Sequence, residues 1–343
     1  MSDEEISADP IVLVACGGDG TVHEIVNAIL RPVVDLAVRI PPIALVIVPA
    51  GTANALYASL FPETAEPRYS AQGLDEQLVR QLQSVLSFTQ SNGTGQQQHQ
   101  QLSVSRTQVR AADGELWHDL FAFVVTSTSF HASLLDTAEE LRKDVPRLSR
   151  FGQAARANIN KIYNARATLL PSPAGPPRIY DPATQQFVAT TSVELEGPFS
   201  YFLSTLNVDR LEPSFRVAPL HRSHPPAPGE MDLIVLRPGR NPVHGAARTN
   251  SALSTQVVMA KAYEDGAHVA LRFDPDGVPT MDADGPYLVE YFRCGGWKWI
   301  PDASDEHAHL VCVDGTIARV PQEEGGSAVC MMLQREFRCS VFV

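Results

Sequence analysis

The chain has 343 residues, 44% of them hydrophobic, a formal net charge of −12 and five cysteines. That length buries a substantial core and suits two domains better than one. The acidic balance speaks against a nucleic-acid partner, which needs a basic stripe, and against electrostatic adhesion to anionic membranes. No apolar run approaches the roughly 18 residues that span a bilayer, and the acidic start MSDEEISADP is unlike a signal peptide. The expectation is a cytoplasmic chain with free thiols, at most peripheral on membranes.

Ile11 to Cys16 is a short apolar run rich in β-branched residues, which predicts a buried parallel strand. The turn Gly17-Gly18-Asp19-Gly20 follows. Val22, Ile25, Val26, Ile29 and Leu30 then repeat on one helical face, with Thr21 and Glu24 spaced as a capping box and Pro32 closing the helix. The pattern recurs: an apolar strand from Ile43 to Val48, a turn at Pro49 to Gly51, and a helix ending before Pro62. Two such units in tandem predict an α/β layer with a parallel sheet, both turns lying at its carboxyl edge, where ligands bind in open α/β folds. A further helical stretch is expected near Leu74 to Phe88, then a Gln-rich low-complexity loop over 91–101.

From Leu102 the texture changes to short runs such as LFAFVVTSTSF, FSYFLSTLNV, MDLIVLRP, HVALRF and HLVCVDG, spaced by Pro and Gly turns. They predict an antiparallel β domain over 102–343, interrupted by a helical insert near 136–164 that carries Arg142, Arg147, Arg150 and Arg156. Residues 1–101 form the α/β domain of this reading.

A glycine turn that feeds a helix offers backbone amides and the positive end of the helix dipole to one spot, which favours a phosphate. Asp19 is out of place there unless it holds a cation or takes a proton from an attacking hydroxyl, and either role points to phosphoryl transfer. The plainer alternative is a tight turn whose aspartate caps the helix. Only four lysines are present, Lys143, Lys161, Lys261 and Lys298, and none sits in a P-loop.

GGDGTVHEIVN and PAGTANALYAS together resemble the two nucleotide-binding motifs of the diacylglycerol kinase and sphingosine kinase superfamily, to which NAD kinases are distantly related. The continuation ALYAS is closer to the eukaryotic sphingosine-kinase-like members. Weaker similarity runs through FHASLLDTAEELR, FGQAAR, APGEMDLIVLRP and HLVCVDGTIARV. The resemblance implies an ATP- and Mg²⁺-dependent lipid kinase, with a nucleotide cleft between the α/β domain and a β-sandwich that receives a sphingoid base or diacylglycerol-like lipid. It implies Asp19 as the base, and Gly17, Gly18, Gly20, Thr21, Gly51, Thr52, Asn54, Arg142 and Arg156 around the nucleotide. His131 and Ser133 would lie near the lipid head group and Asp314 near Mg²⁺. A lipid substrate, and with it a transient membrane surface, are the implied partners.

Three departures accompany the resemblance. Family members carry one more strand-turn-helix unit, with an N-P-x-[SG]-G type loop, before the GGDGT strand, whereas ten residues precede Ile11 here, so an N-terminally truncated form is expected. The late motif reads Asp314-Gly315-Thr316, with threonine where the family has glutamate. Ser133 stands where sphingosine kinases tend to carry an acid. These departures set a second reading beside the kinase: a catalytically silent, lipid-holding relative. His307 and His309 read as a solvated loop, and His23 as a first-turn helix residue.

Overall fold

A computed structural model describes residues 10–36, 40–94, 98–145, 149–243, 247–333 and 338–343, with backbone alone for 33–36, 92–94 and 247–250. Arg147 lies outside them. β1 (Ile11–Gly17) and β2 (Ile43–Pro49) pair in parallel, from Ile11 opposite Ile43 to Gly17 opposite Pro49. Between them runs α1 (Asp19–Leu36), burying Val22, Val26 and Leu30 as the apolar spacing requires. Three details differ from expectation. β1 is not the buried strand that its apolar run predicts: it is an edge strand of its sheet, and Ile11, Val12 and Val14 are exposed while Ala15 is buried. The helix starts two residues before Thr21, and the Gly18 carbonyl accepts from the Thr21 and Val22 amides at 3.1 and 3.4 Å, so Thr21 lies inside the first turn. Pro32 also lies within the helix rather than closing it. Its missing amide deprives Ala28 of a partner, but both residues are exposed and water can replace that bond.

The second turn leads into α2 (Ala55–Leu60), six residues that are all buried. The expected helix near Leu74 to Phe88 is two helices, Glu76–Gln81 and Gln83–Thr94, broken at Leu82. Asp75 caps the first by accepting from the Leu78 amide at 2.8 Å. Within the expected Gln-rich loop, His99–Gln101 forms a strand. It pairs antiparallel with the last strand of the chain, Cys339–Phe342, which pairs in parallel with β2 through Ile43 opposite Cys339. The first sheet therefore runs β1, β2, Cys339–Phe342, His99–Gln101. The hydroxyls of Ser84, Ser87 and Tyr69 donate to the carbonyls of Phe342 and Val343 and hold that strand down.

Deleting 339–343 would remove one partner of β2 and the acceptors of those hydroxyls. The expected result is loss of amide protection in β2 by hydrogen exchange, together with a lower melting temperature. A truncated chain whose β2 amides stay protected would contradict it.

The rest is antiparallel. An eight-stranded sheet contains Val125–Thr128, Tyr201–Thr205, Met231–Leu236, Glu290–Cys294 and Leu310–Val313; a six-stranded sheet contains Ser105–Arg110, Leu116–Ala122, Ala165–Leu170, Gly296–Pro301 and Ser327–Met332. Alternate residues of Gly296–Pro301 project Trp297 and Trp299 onto the other sheet. Trp297 meets Phe202 at 5.3 Å, and Trp299 meets Phe199 and Phe202 at 4.9 and 5.1 Å between centroids. The Trp297 indole donates to the Ser204 hydroxyl at 3.1 Å, so the interior polar handle is satisfied.

Three local expectations change. HVALRF begins within a 3-10 turn, Ala267–Ala270, and ends in the two-residue strand Arg272–Phe273. The helical insert begins earlier, as Ser129–Glu140, and resumes as Ser149–Asn158 after the 3-10 turn Leu141–Lys143. A helix over Ala247–Ala262 was not foreseen. Among the described residues no helix is long and apolar enough to cross a membrane.

Candidate active site

Parallel pairing of β1 and β2 brings the two glycine turns side by side. The Ala50 amide donates to the Gly17 carbonyl at 3.0 Å. A Cβ on Gly51 would stand 2.3 Å from the Gly18 Cα, and one on Gly17 would stand 2.2 Å from the Thr21 Oγ1. Gly18 and Gly51 are demanded by backbone contact, and Gly17 by the Thr21 side chain. Asn54, with φ at 51°, closes the second turn through Gly51 N to Oδ1 at 2.9 Å and Nδ2 to Gly51 O at 3.0 Å. Gly20 differs, because a Cβ there would meet nothing within 4 Å. Gly20 and Thr52 form the exposed lip of the paired turns. Gly51→Ala is expected to cost about 1–3 kcal/mol by forcing the turns apart; urea unfolding measures it, and an unchanged midpoint would contradict the contact.

Asp19 sits between the turns and reaches across to the second helix. Its Oδ2 accepts from the Ala55 amide at 2.7 Å and its Oδ1 from the Leu56 amide at 3.0 Å. The aspartate thus caps α2, not its own helix, and its negative charge complements the amino end of α2. Burial pushes its pKa up; the two amides pull it down by less, and the nearby charge of Asp314 adds to the rise. A half-buried carboxylate of raised basicity beside an open glycine lip is equipped to accept a proton.

Asp314 and its neighbours fasten this corner to the second domain. The carboxylate is fully buried; Oδ1 accepts from Val124 and Val125 at 3.0 and 2.8 Å, and Oδ2 accepts from Phe123 at 2.9 Å. His23 of α1 lies between it and Thr316, with Nδ1 3.5 Å from Asp314 Oδ2 and Nε2 3.2 Å from Thr316 Oγ1. One turn on, Asn27 donates to the Phe121 carbonyl and accepts from the Phe121 amide, at 2.9 and 3.0 Å, as a strand neighbour would. Sequence reasoning missed Asn27 and read His23 as a first-turn residue. The signal was there, since both lie on the apolar side of α1.

Residues 4–87 match the diacylglycerol kinase catalytic domain. The match to this kinase domain takes in both glycine turns, Asp19 and all of α2. A protein of Bacillus anthracis str. Sterne assigned as a diacylglycerol kinase aligns over 97% of this chain and 78% of its own, with 11% identity and a TM-score of 0.48. Yeast NADH kinase complexed with NADH aligns over 97% of this chain with 8% identity and a TM-score of 0.38, and this chain spans 61% of its length. No curated protein matches.

The residues fit the two cofactors of a kinase domain unequally. For ATP the open side of Gly20 and the exposed Thr52 leave room against the backbone of both turns. For Mg²⁺ the donor set does not fit. Asp314, expected to face the metal, has both oxygens committed to buried amides, and both oxygens of Asp19 hold amides of α2. Among the described residues no group of three or more His, Cys, Asp or Glu side chains could hold a metal ion. His309 is buried, its ring nitrogens 3.0 and 3.1 Å from the Val320 and Asp302 carbonyls, which corrects its reading as a solvated loop residue.

The remaining expected residues lie apart from the kinase-domain turns. Arg142 is exposed and paired with Glu139 at 3.0 Å, and Arg156 is exposed with a guanidinium nitrogen over Gly152. Among the described residues neither contacts either turn. His131 lies 2.7 Å from the Ser127 hydroxyl through Nδ1, and burial lowers its pKa to about 4, so the ring is neutral at neutral pH. Ser133 is buried where its helix meets Ser149–Asn158, and its carbonyl accepts from Asn158 at 3.3 Å.

Sequence reasoning also missed a cluster centred on Asp209. This fully buried carboxylate accepts from Arg210 at 2.8 and 3.0 Å and from Arg216 at 3.0 Å, and pairs with Arg222 at 3.3 Å. Arg222 also donates to the Ser59 carbonyl near the end of α2. A helix of six residues is therefore held at both ends by charge, Asp19 at the amino end and Arg222 near the carboxyl end.

Proposed function

We propose that the chain is a phosphotransferase that moves the γ-phosphoryl group of ATP to the hydroxyl of a sphingoid base or diacylglycerol-like lipid, in transient contact with a membrane surface. The observation that carries the reading is Asp19, a carboxylate of raised basicity held between two glycine turns within the segment that matches a lipid kinase catalytic domain. ATP, when bound, supplies the phosphoryl group. Gly20 and Thr52 give its phosphates access to the backbone amides of the turns. Asp19 takes the proton as the lipid oxygen forms its bond to the γ-phosphorus; the bond to the bridging oxygen breaks, ADP leaves, and the proton passes to solvent.

The second reading is a lipid-holding chain without catalysis. The observation in its favour is that both Asp19 oxygens already hold amides of α2. Incubating the purified chain with ATP, Mg²⁺ and a panel of sphingoid bases, ceramide and diacylglycerol, beside Asp19→Asn, separates the two. Product from the parent and not the variant supports the kinase. Lipid binding without product from either supports the second.

The pH dependence is a further check. A base must be deprotonated, so kcat/KM is expected to rise with pH as Asp19 loses its proton and to be lost as pH falls through its raised pKa. The acid limb should therefore lie above the ordinary value of 3.8. A limb at the ordinary value would assign the base elsewhere.

A further inference from the structure

α1 carries three polar side chains at successive turns along one side, Asp19 at its first residue, then His23 and Asn27. The last two are 6% and 7% exposed, and each is bonded to the second domain. Asn27 pairs with the amide and carbonyl of Phe121 and also donates to the His23 carbonyl at 2.9 Å. His23 meets one hairpin with both ring nitrogens, Asp314 at 3.5 Å and Thr316 at 3.2 Å. That hairpin joins Leu310–Val313 to Thr316–Arg319 through Asp314 and Gly315, both at positive φ, 48° and 93°, as a tight two-residue turn requires. Its geometry is fixed. Asp314 also accepts from the amides of Phe123, Val124 and Val125, in the segment that links the two antiparallel sheets. An unbroken run of contacts thus leads from the second domain to the helix turn that begins with Asp19, and the charge of Asp314 acts on Asp19.

We propose that His23 is a positioning residue for phosphoryl transfer, holding the first turn of α1 against the Asp314–Thr316 hairpin so that Asp19 faces the acceptor hydroxyl only while the two domains are joined. This role rests on the kinase reading above, with the lipid seated on the second domain. A misplacement of about 1 Å between reacting groups costs about 10²-fold in rate, so a loosened contact here falls on the chemical step. The ATP phosphates meet the glycine turns of the first domain alone. Their binding does not depend on His23.

The test assays the full chain and its His23→Ala, His23→Gln and Thr316→Val variants with ATP, Mg²⁺ and the lipid that the parent phosphorylates. His23→Ala should lower kcat about 10–100-fold and leave KM for ATP within about twofold. His23→Gln, which keeps a donor and an acceptor, should recover part of the loss. Thr316 is exposed, so Thr316→Val folds even if His23→Ala does not; it should lower kcat less and add nothing to the loss in the double variant. Amide exchange at Ala55 and Leu56 should stay that of the parent, because Asp19 keeps its bonds to α2. A parent that phosphorylates no lipid overturns the kinase reading and this role with it. An active parent whose kcat neither Thr316→Val nor His23→Ala lowers, or losses that fall on KM for ATP, overturns the role of His23 and leaves the kinase reading in place.

Discussion

An Asp19→Asn variant is expected to lose lipid phosphorylation by about 10²–10⁴-fold, the range that a positioned general base contributes. The substitution keeps the size of the side chain and one oxygen to accept from α2, but turns the other acceptor into a donor facing an amide. A stability loss of about 1–2 kcal/mol should accompany it, the usual cost of a lost helix cap. The two effects separate by measurement: kcat on saturating lipid should fall steeply while the far-ultraviolet dichroism stays that of the parent. Unchanged kcat with a lowered melting temperature would reduce Asp19 to a cap.

Removing Asp209 should have the largest effect on stability. Asp209→Ala leaves three guanidinium groups without the carboxylate they share, in a site where Asp209 is fully buried and Arg210 and Arg216 are mostly so. Breaking a buried pair by deleting one partner costs about 3–5 kcal/mol. Burial pushes the Asp209 pKa up, but the hydrogen bond and charge of Arg210, followed by the charges of Arg222 and Arg216, outweigh it and hold the carboxyl below its ordinary 3.8. The sign follows: this stabilisation is complete above the ordinary carboxylate value and is lost as pH falls through the depressed one. Parent and variant should therefore differ strongly in urea midpoint at neutral pH and converge in strong acid. A gap that persists at the acid end would trace the effect to packing instead.

What could be read from the sequence was local. β1, β2 and the core face of α1 follow from hydrophobic period, and the two turns from glycine placement, because each of these is specified within a few residues. The antiparallel second half follows from short apolar runs cut by Pro and Gly. The helix over Ala247–Ala262 was missed because TNSALSTQVV has no apolar stripe to reveal it. HVALRF reads like a strand, yet its first half lies in a 3-10 turn and only Arg272–Phe273 is a strand, since so short a run specifies either conformation poorly.

At the candidate site, residue types were legible and their partners were not. Asp19 stood out in its turn, but its bonds go to Ala55 and Leu56, reachable only once two strands pair in register. Asp314 stood out in its motif, but its burial against Phe123, Val124 and Val125 depends on how the second domain closes. Arg210, Arg216 and Arg222 drew no reading from the sequence because the acid that collects them, Asp209, is ordinary there.

The return of Cys339–Phe342 to the first sheet has a consequence for how the protein is made. β1, β2 and both glycine turns leave the ribosome long before the strand that pairs along the inner edge of β2, which follows nearly all of the antiparallel half in sequence. Until that strand emerges, the edge presents unpaired amides beside Ala44, Leu45 and Val46, which are buried in the finished fold. A chain stalled or clipped before that strand would carry a sticky half-sheet, and the glycine turns would have a settled floor only once Cys339–Phe342 has emerged.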